Sequence, residues 1–186
     1  MIALIVVLVI AAIVVMMVIG AYNRLVALRQ SANNAFADID VQLKQRQDLI
    51  PNLVETVKGY AAHERGTLDE VVAARGAASS ASSVEGKVAA ENALSGALGR
   101  LFAVAESYPD LKANQNFLQL QGQLGDIENK IAAARRFFNN AVSEFNAQAQ
   151  SFPTVLFAAS LGFTQRDFFD LGEGRAAAQA APQVKF

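Results

Sequence analysis

The chain carries no charged side chain between Met1 and Ala21. Ile, Leu, Val, Met and Ala make up this run as far as Gly20. A helix of about 20 apolar residues is long enough to cross the hydrocarbon core of a bilayer. Nothing after Arg24 resembles it. The run therefore predicts a single transmembrane helix over residues 1–21, which keeps the rest of the chain within reach of a membrane surface.

Other interpretations of the run fit its residues less well. A cleaved secretory signal has a basic start, a shorter apolar core and a small-residue cleavage site, whereas no Lys or Arg precedes this core. A lipoprotein needs a cysteine, and the chain has none. A buried helix of a soluble core is the remaining alternative, and the absence of a polar face argues against it at this position.

Basic residues flank only the C-terminal side of the run. Arg24 and Arg29 lie closest, followed by Lys44 and Arg46. The positive-inside rule then places the C-terminal part of the chain in the cytoplasm, with a periplasmic or extracellular location as the alternative. Tyr22 occupies the position of an interfacial aromatic residue.

The remaining residues are numerous enough for one domain with its own core. The chain has 16 basic and 17 acidic residues and a net charge of -1, without a basic stripe that would indicate nucleic-acid binding. Abundant Ala, Leu, Gln and Glu favour helices. We therefore expect a transmembrane helix over 1–21, a helical bundle domain over 22–171 and a flexible tail over 172–186.

Apolar residues after Leu25 repeat at the seven-residue spacing of packed helices. One series is Ala32, Ile39, Leu53 and Tyr60, and its partner series is Phe36, Leu43, Ile50, Val57 and Val71. Because the phase passes through Pro51 without a slip, it predicts one helix from Tyr22 to Arg75 with a kink near Asp48–Pro51. A full turn at residues 50–52, giving two helices, is the alternative.

The segments after Arg75 are predicted to form a loop and two further helices. Residues 76–83 are small, polar and without an apolar period, which predicts a loop, and Ser83 is a candidate N-cap for the next helix. That helix is expected to stop at Tyr108–Asp110. A third apolar series, spaced by seven residues, predicts a helix that ends before Pro153. It consists of Phe117, Leu124, Ile131, Phe138, Phe145 and Phe152.

A short fourth helix over 154–160 is also possible, with Gly162 as its stop. The predicted fold class is all-α: a single-pass transmembrane helix followed by an antiparallel up-and-down bundle of three to four long helices.

Catalytic and metal motifs are missing or incomplete. His63-Glu64 starts like a zinc-protease motif, but position 67 is Thr. With a single histidine in the chain, a di-iron carboxylate bundle is excluded. Neither a nucleophile elbow nor a phosphate-binding loop occurs. We therefore expect no enzyme activity, no cofactor and no metal.

Arg46 interrupts the first apolar series, because it takes a position where an apolar residue is expected. A buried arginine requires an acidic partner, and Glu91 and Glu128 are the candidates. An ion pair that fixes helix register is the simpler interpretation. A binding site for a partner or a lipid phosphate is the functional one.

Five phenylalanines fall between residues 152 and 171. They include Phe152, Phe163, Phe168 and Phe169. One interpretation is that this segment closes the end of the core. The other is an exposed apolar face for a partner, a sister subunit or the lipid headgroup zone.

Several blocks of the sequence together resemble the LemA family. They are Tyr22–Arg29, Ala37–Lys44, Asp48–Val54, Tyr60–Glu64, Tyr108–Ala113, Asn116-Phe117, Ile127–Ile131, Ala134–Asn139, Phe152-Pro153 and Gly162-Phe163. Phe138 departs from the pattern, since the family often has Tyr there. The resemblance covers nearly the whole chain and implies a single-pass bacterial membrane protein with a helical-bundle domain. It implies no activity.

These observations support a membrane-anchored scaffold at the bacterial inner membrane that self-associates or docks a protein partner. The alternative is a membrane-remodelling or lipid-surface-binding protein that acts through the Phe-rich segment. Expected partners are membrane lipid and further copies of the chain, and no nucleic acid.

Overall fold

A computed structural model gives the fold and describes residues 1–169. That part of the chain contains five α-helices and no strand: α1 (Ile2–Lys58), α2 (Arg65–Ser80), α3 (Val84–Ala105), α4 (Pro109–Lys112) and α5 (Gln115–Gln150). The all-α fold class predicted from the sequence is therefore confirmed. The predicted tail, residues 172–186, lies outside the described residues.

Two compact units divide the chain. The first unit comprises Met1–Ile39 and Ala134–Phe168, and the second comprises Asp40–Ala133 and, among the described residues, Phe169. Helices α1 and α5 each contribute residues to both units.

Helix α1 continues through Pro51, as the unbroken apolar phase predicts, so the alternative of a full turn at residues 50–52 is wrong. The predicted extension to Arg75 is also wrong, because the helix ends at Lys58. Gly59 follows at once, and glycine is a poor helix former. The amide of Ala61 donates to the carbonyl of Val57 at 2.8 Å and closes the turn. Tyr60 was expected in the core, but it falls in this turn and is exposed.

Residues 76–80 are helical, so the predicted loop over 76–83 is wrong for most of its length. Alanine has the highest helix propensity, and the side chain of Ala78 is buried in the core of the second unit. The connection shrinks to residues 81–83. Ser83 is the N-cap of α3, as predicted, and its Oγ accepts from the amide of Gly86 at 3.0 Å.

In the second unit, the contacts of α1 define the direction of its neighbours. Lys87 of α3 forms an ion pair with Asp40, and Ser95 accepts from Arg46. The partner that comes later in α1 also comes later in α3. The two helices therefore run parallel.

Helices α2 and α5 run the opposite way. Tyr60 accepts from Asn114, and Glu128 lies beside Arg46, so α5 is antiparallel to α1. Ser79 of α2 donates to Gln47, and the short connection after Lys58 returns α2 along α1. The second unit is thus an up-down-up-down bundle. Its core contains Ile50, Leu53, Val57, Val71, Leu94, Leu98, Leu101, Leu111, Phe117 and Leu124, among others.

The first unit pairs the early part of α1 with the end of α5. Phe36 faces Phe138 with ring centroids 5.5 Å apart. One buried cluster of this unit is formed by Leu25, Leu28, Phe145, Ala149, Ala158 and Phe163. Since later α5 residues meet earlier α1 residues, the two helices are antiparallel.

After α5 the chain forms two 3₁₀ turns, Thr154–Leu156 and Ala159–Leu161, so the single short helix expected over 154–160 is wrong. Gly162 ends the second turn, as predicted, with a φ of 79° that suits glycine. Phe152 was expected to continue the α5 series, but it is 81% exposed. The helix ends at Gln150, and the seven-residue period does not determine where a side chain points beyond that end.

Candidate functional site

Arg46 projects from α1 into the second unit, and its side chain is only 8% exposed. Its Nη1 donates to Oε2 of Glu91 at 3.2 Å, and its Nη2 donates to Oγ of Ser95 at 2.9 Å. Oε2 of Glu128 lies 3.4 Å from Nη2. Both acidic partners named from the sequence therefore lie beside Arg46.

Gln47 extends this network and was not singled out from the sequence. Its Nε2 donates to Oε1 of Glu91 at 3.1 Å, and its Oε1 accepts from Oγ of Ser79 at 3.0 Å. Arg75 Nε donates to the Gln47 carbonyl at 2.8 Å. Polar side chains from α1, α2, α3 and α5 thus meet in one layer of the bundle, here called the polar layer (Arg46, Gln47, Ser79, Glu91, Ser95 and Glu128).

Burial decides the electrostatics of the polar layer. The Glu91 side chain is 3% exposed, whereas that of Glu128 is 49% exposed. Loss of hydration raises the pKa of Glu91 above its usual 4.5, and the hydrogen bond from Gln47 and the charge of Arg46 act in the opposite direction. Removing one partner of such a buried pair leaves an uncompensated charge. Each helix is therefore held in the register at which these partners meet.

The burial of Arg46 also argues against the functional interpretation, in which Arg46 binds a partner or a lipid phosphate. An external phosphate would have to reach a guanidinium that already contacts two carboxylates and a hydroxyl. The arrangement therefore favours a role in helix register.

The Phe-rich segment divides into buried and exposed members. Phe163 and Phe169 are 3% and 1% exposed, whereas Phe152 and Phe168 are 81% and 44% exposed. Phe163 closes the core of the first unit, with its ring centroid 5.5 Å from that of Tyr22 and 6.4 Å from that of Phe145. The buried members thus close the core, whereas the role of the exposed members as an apolar face for a partner or for lipid stays a prediction.

A group of polar residues in the first unit was missed by the sequence analysis. Asn146 of α5 accepts from the amide of Arg166 and donates to its carbonyl, both at 2.9 Å. Arg166 Nη1 in turn donates to Oδ1 of Asn33 at 2.6 Å. The Arg29 guanidinium carbon lies 4.9 Å from the centroid of the Phe163 ring. Isolated asparagines and arginines carry no spacing signal, so pattern reasoning could not find this group.

His63 lies exposed in the connection between α1 and α2. The polar layer is built without it. Within residues 1–169, no group of three or more His, Asp or Glu side chains is arranged to hold a metal ion.

A family model supplies the first comparison with known proteins. The LemA family model matches residues 35–186, which is most of the chain. The chain belongs to the LemA family. The family resemblance predicted from the sequence is therefore confirmed. The LemA family is helical, and so is the described part of this chain.

Individual relatives of this LemA-family chain are distant. The magnetosome protein MamQ of Magnetospirillum gryphiswaldense is 25% identical over 174 residues, and MamQ 2 of Paramagnetospirillum magneticum is 24% identical. In both cases the match covers 80% of this chain but only 64% of the relative's length. Protein LemA of Metamycoplasma hominis is 28% identical over 160 residues, covering 83% of this chain and 71% of that protein.

By length and composition, α1 is the one helix in the described part of the LemA-family chain that could cross a membrane. Every large apolar side chain from Ile2 to Met17 is at least 50% exposed. No part of residues 1–169 therefore covers the apolar run.

Proposed function

We propose that this protein is a membrane-anchored helical scaffold at the surface of the bacterial inner membrane, where it self-associates or docks partner proteins. The observation that carries the proposal is the exposure of the apolar run on α1. A Leu, Ile or Val side chain gains about 1.5–3 kcal/mol when it leaves water. A bilayer offers that gain to the whole run at once, and about 20 helical residues match its thickness.

The direction of insertion is the next part of the proposal. Arg24 and Arg29 follow the run, and both are exposed. The positive-inside rule supports a single-pass anchor with the rest of the chain in the cytoplasm, and a periplasmic location is the alternative. MamQ of Magnetospirillum gryphiswaldense and LemA of Metamycoplasma hominis are bacterial proteins, which supports a bacterial membrane.

A scaffold role fits the arrangement of the second unit. Its most buried polar groups are satisfied within the unit and give it a fixed helix register. Its helices still present large apolar side chains to solvent, namely Val41, Val72 and Leu118. A rigid body with exposed apolar positions, attached to a membrane, is suited to contacts with sister chains or other proteins. We propose no catalytic activity for it.

Analytical ultracentrifugation of the full chain in detergent, over a wide range of protein concentrations, tests self-association. We expect a mass that rises with concentration toward a defined oligomer. Matched variants Val41→Ser, Val72→Ser and Leu118→Ser locate the surface, because at least one should weaken association. Glu85→Ser is the control, since Glu85 is an exposed polar residue of the same unit. A strict monomer at every concentration would exclude self-association.

Membrane remodelling is a second candidate function. It is favoured by the exposure of Phe152 and Leu156, which are 81% and 73% exposed. Wedge-like insertion of such residues into one leaflet bends a membrane. Electron microscopy of vesicles containing the full chain should then show tubules or buds that are lost in Phe152→Ser. Smooth vesicles with the wild-type chain would rule this function out.

A further inference from the structure

The first unit exposes a compact set of apolar side chains after the end of α5. The set is Phe152, Val155, Leu156 and Leu161, here called the apolar foot. Exposed apolar groups that cluster in this way mark a contact surface. The apolar foot belongs to a different segment from the apolar run, since more than a hundred residues lie between them in the chain.

Neighbouring residues hold the apolar foot in place. Thr154 and Ala158 are 1% and 3% exposed, so the inward side of the segment is packed. Gln148 Nε2 donates to Oγ1 of Thr154 at 3.2 Å. With these two anchored inward, the intervening Val155 and Leu156 remain exposed. The exposure is therefore built into the packing of the turns.

The pairing of α1 and α5 in the first unit determines the position of the apolar foot along the axis of α1. Phe36 faces Phe138, and antiparallel helices rise equally, by about 1.5 Å per residue. Gln150 should therefore lie level with a residue near Arg24. Phe163, which follows the foot, touches Tyr22. The foot thus lies level with the point at which the apolar run ends.

The charges of the first unit point to the kind of surface it meets. The unit contains five arginines (Arg24, Arg29, Arg135, Arg136 and Arg166) and three acidic residues (Asp38, Glu144 and Asp167), a net charge of +2. Within its described residues no arginine lies within ion-pair distance of a carboxylate. Arg24 lies three residues past Ala21 on an exposed face.

We propose that the first unit makes a second membrane contact, in which the apolar foot enters the headgroup zone of an anionic lipid surface and Arg24 and Arg29 bind its phosphates. The contact rests on the proposed anchoring by the apolar run. Apolar and aromatic side chains at the acyl boundary and cations at the phosphates are the usual composition of an interfacial contact. Two attachments, the run and the foot, fix the orientation of the unit on the membrane.

Tryptophan reporters test the contact, because the chain has no tryptophan of its own. We would place single tryptophans by Phe152→Trp, Val14→Trp and Phe137→Trp in the full chain and reconstitute each in vesicles. The vesicles contain lipids brominated both near the headgroup end and deep in the acyl chains, so that an indole is quenched at either depth but not outside the bilayer. Phe137 is the matched control: it is 56% exposed in the same unit, but by the α1–α5 pairing it lies about 22 Å beyond the level of Tyr22.

The reporters separate the contact from the anchoring. Strong quenching of Val14→Trp and Phe152→Trp, with little quenching of Phe137→Trp, supports both. If Val14→Trp is quenched while Phe152→Trp matches Phe137→Trp, the run is anchored and the contact is refuted. If Val14→Trp is not quenched, the anchoring fails, and the contact that rests on it fails too.

Lipid charge tests the role of the arginines. We expect stronger quenching of Phe152→Trp in vesicles with phosphatidylglycerol than in phosphatidylcholine alone. One arginine at an anionic surface changes the ratio of docked to undocked foot about fivefold. Arg24→Gln should reduce the charge dependence by that factor. Arg136→Gln should leave it unchanged, since Arg136 is exposed but lies well over a Debye length of about 8 Å away. Equal quenching in the two lipids would refute the anionic part of the proposal.

Discussion

The two units of the chain differ in charge and in how their charges are used. The first unit has a net charge of +2, and no carboxylate of residues 1–169 lies within ion-pair distance of its arginines. The second unit has nine basic and twelve acidic residues in 40–133, a net charge of -3. All seven ion pairs of the described residues belong to the second unit.

The two units also differ in how many apolar residues they bury. Among the described residues, the second unit buries sixteen apolar residues in one continuous cluster, whereas the first unit buries twelve in all, six of them in the cluster around Phe163. The first unit also exposes the apolar run and the apolar foot. The comparison teaches that the second unit pairs its charges internally and exposes only scattered apolar residues, whereas the first unit exposes a continuous apolar run and unpaired arginines. In our proposal, a membrane contacts both.

The largest effect is expected from Arg46→Met, which breaks the polar layer of the second unit. Loss of one partner from a buried ion pair costs about 3–5 kcal/mol, because Glu91 keeps a buried charge. Denaturant unfolding of the full chain in detergent measures this change in the free energy of unfolding. Arg100→Met is the control: its pair with Glu70 is half exposed, and such pairs contribute about 0–1 kcal/mol.

A companion variant sharpens this prediction. Arg46→Met combined with Glu91→Leu removes both buried charges, and apolar replacement of a whole buried pair is often neutral. The double variant should therefore be more stable than Arg46→Met alone. If Arg46→Met unfolds at the same denaturant concentration as Arg100→Met, the polar layer does not stabilise the second unit.

Phe163→Ala is the corresponding change in the first unit. Truncating a buried phenylalanine costs about 3–5 kcal/mol, and here it removes contacts with Tyr22, Phe145 and Arg29. Hydrogen exchange should show lost protection in residues 154–163 and unchanged protection in residues 94–101. Phe168→Ala, which truncates a half-exposed side chain, serves as control. Equal loss of protection in both segments would show that the units do not unfold separately.

A smaller effect is expected from Ser83→Ala, which removes the N-cap of α3. Loss of this cap costs about 1 kcal/mol. Thermal unfolding of the full chain should record the loss. Ser82→Ala is the control, since it makes no such cap. A shift with Ser82→Ala equal to that with Ser83→Ala would contradict the capping role.

The smallest effect concerns pH and Glu91. Burial raises the pKa of this acid above its usual 4.5, although Gln47 and Arg46 offset part of the rise. A group whose pKa is raised by folding stabilises the folded state fully below its unfolded pKa, and this contribution is lost as the pH rises through the folded pKa. Wild type should therefore gain stability relative to Glu91→Gln as the pH falls from 7 to 4.5. A pH-independent difference would contradict the raised pKa.

Sequence periodicity was a reliable guide wherever packing follows a regular helix. It predicted α5 and its buried phenylalanines, and it singled out Arg46 as a charge at a core position. It did not predict the end of α1 before Gly59, because Val57 and Val71 keep the seven-residue phase on both sides of the turn. It also failed over residues 76–80, where small residues form a helix without an apolar period.

The rest of the candidate sites depends on tertiary contacts that a single sequence does not encode as spacing. Gln47, Ser79 and Ser95 join the polar layer from three different helices. The direction of Phe152 depends on the chain leaving α5 at Gln150. Asn146 becomes important only because the chain returns to it at Arg166.

The difference between the units can be measured most directly with two matched valines. Val14 of the apolar run and Val72 of α2 are 51% and 52% exposed, and the chain has no cysteine. Single variants Val14→Cys and Val72→Cys of the full chain would be reconstituted at one copy per lipid nanodisc, so that self-association does not cover Val72, and treated with a membrane-impermeant maleimide. We predict that Val72→Cys is labelled and that Val14→Cys is protected. Equal labelling of the two cysteines would contradict the assignment of the apolar run to the membrane and of the second unit to water.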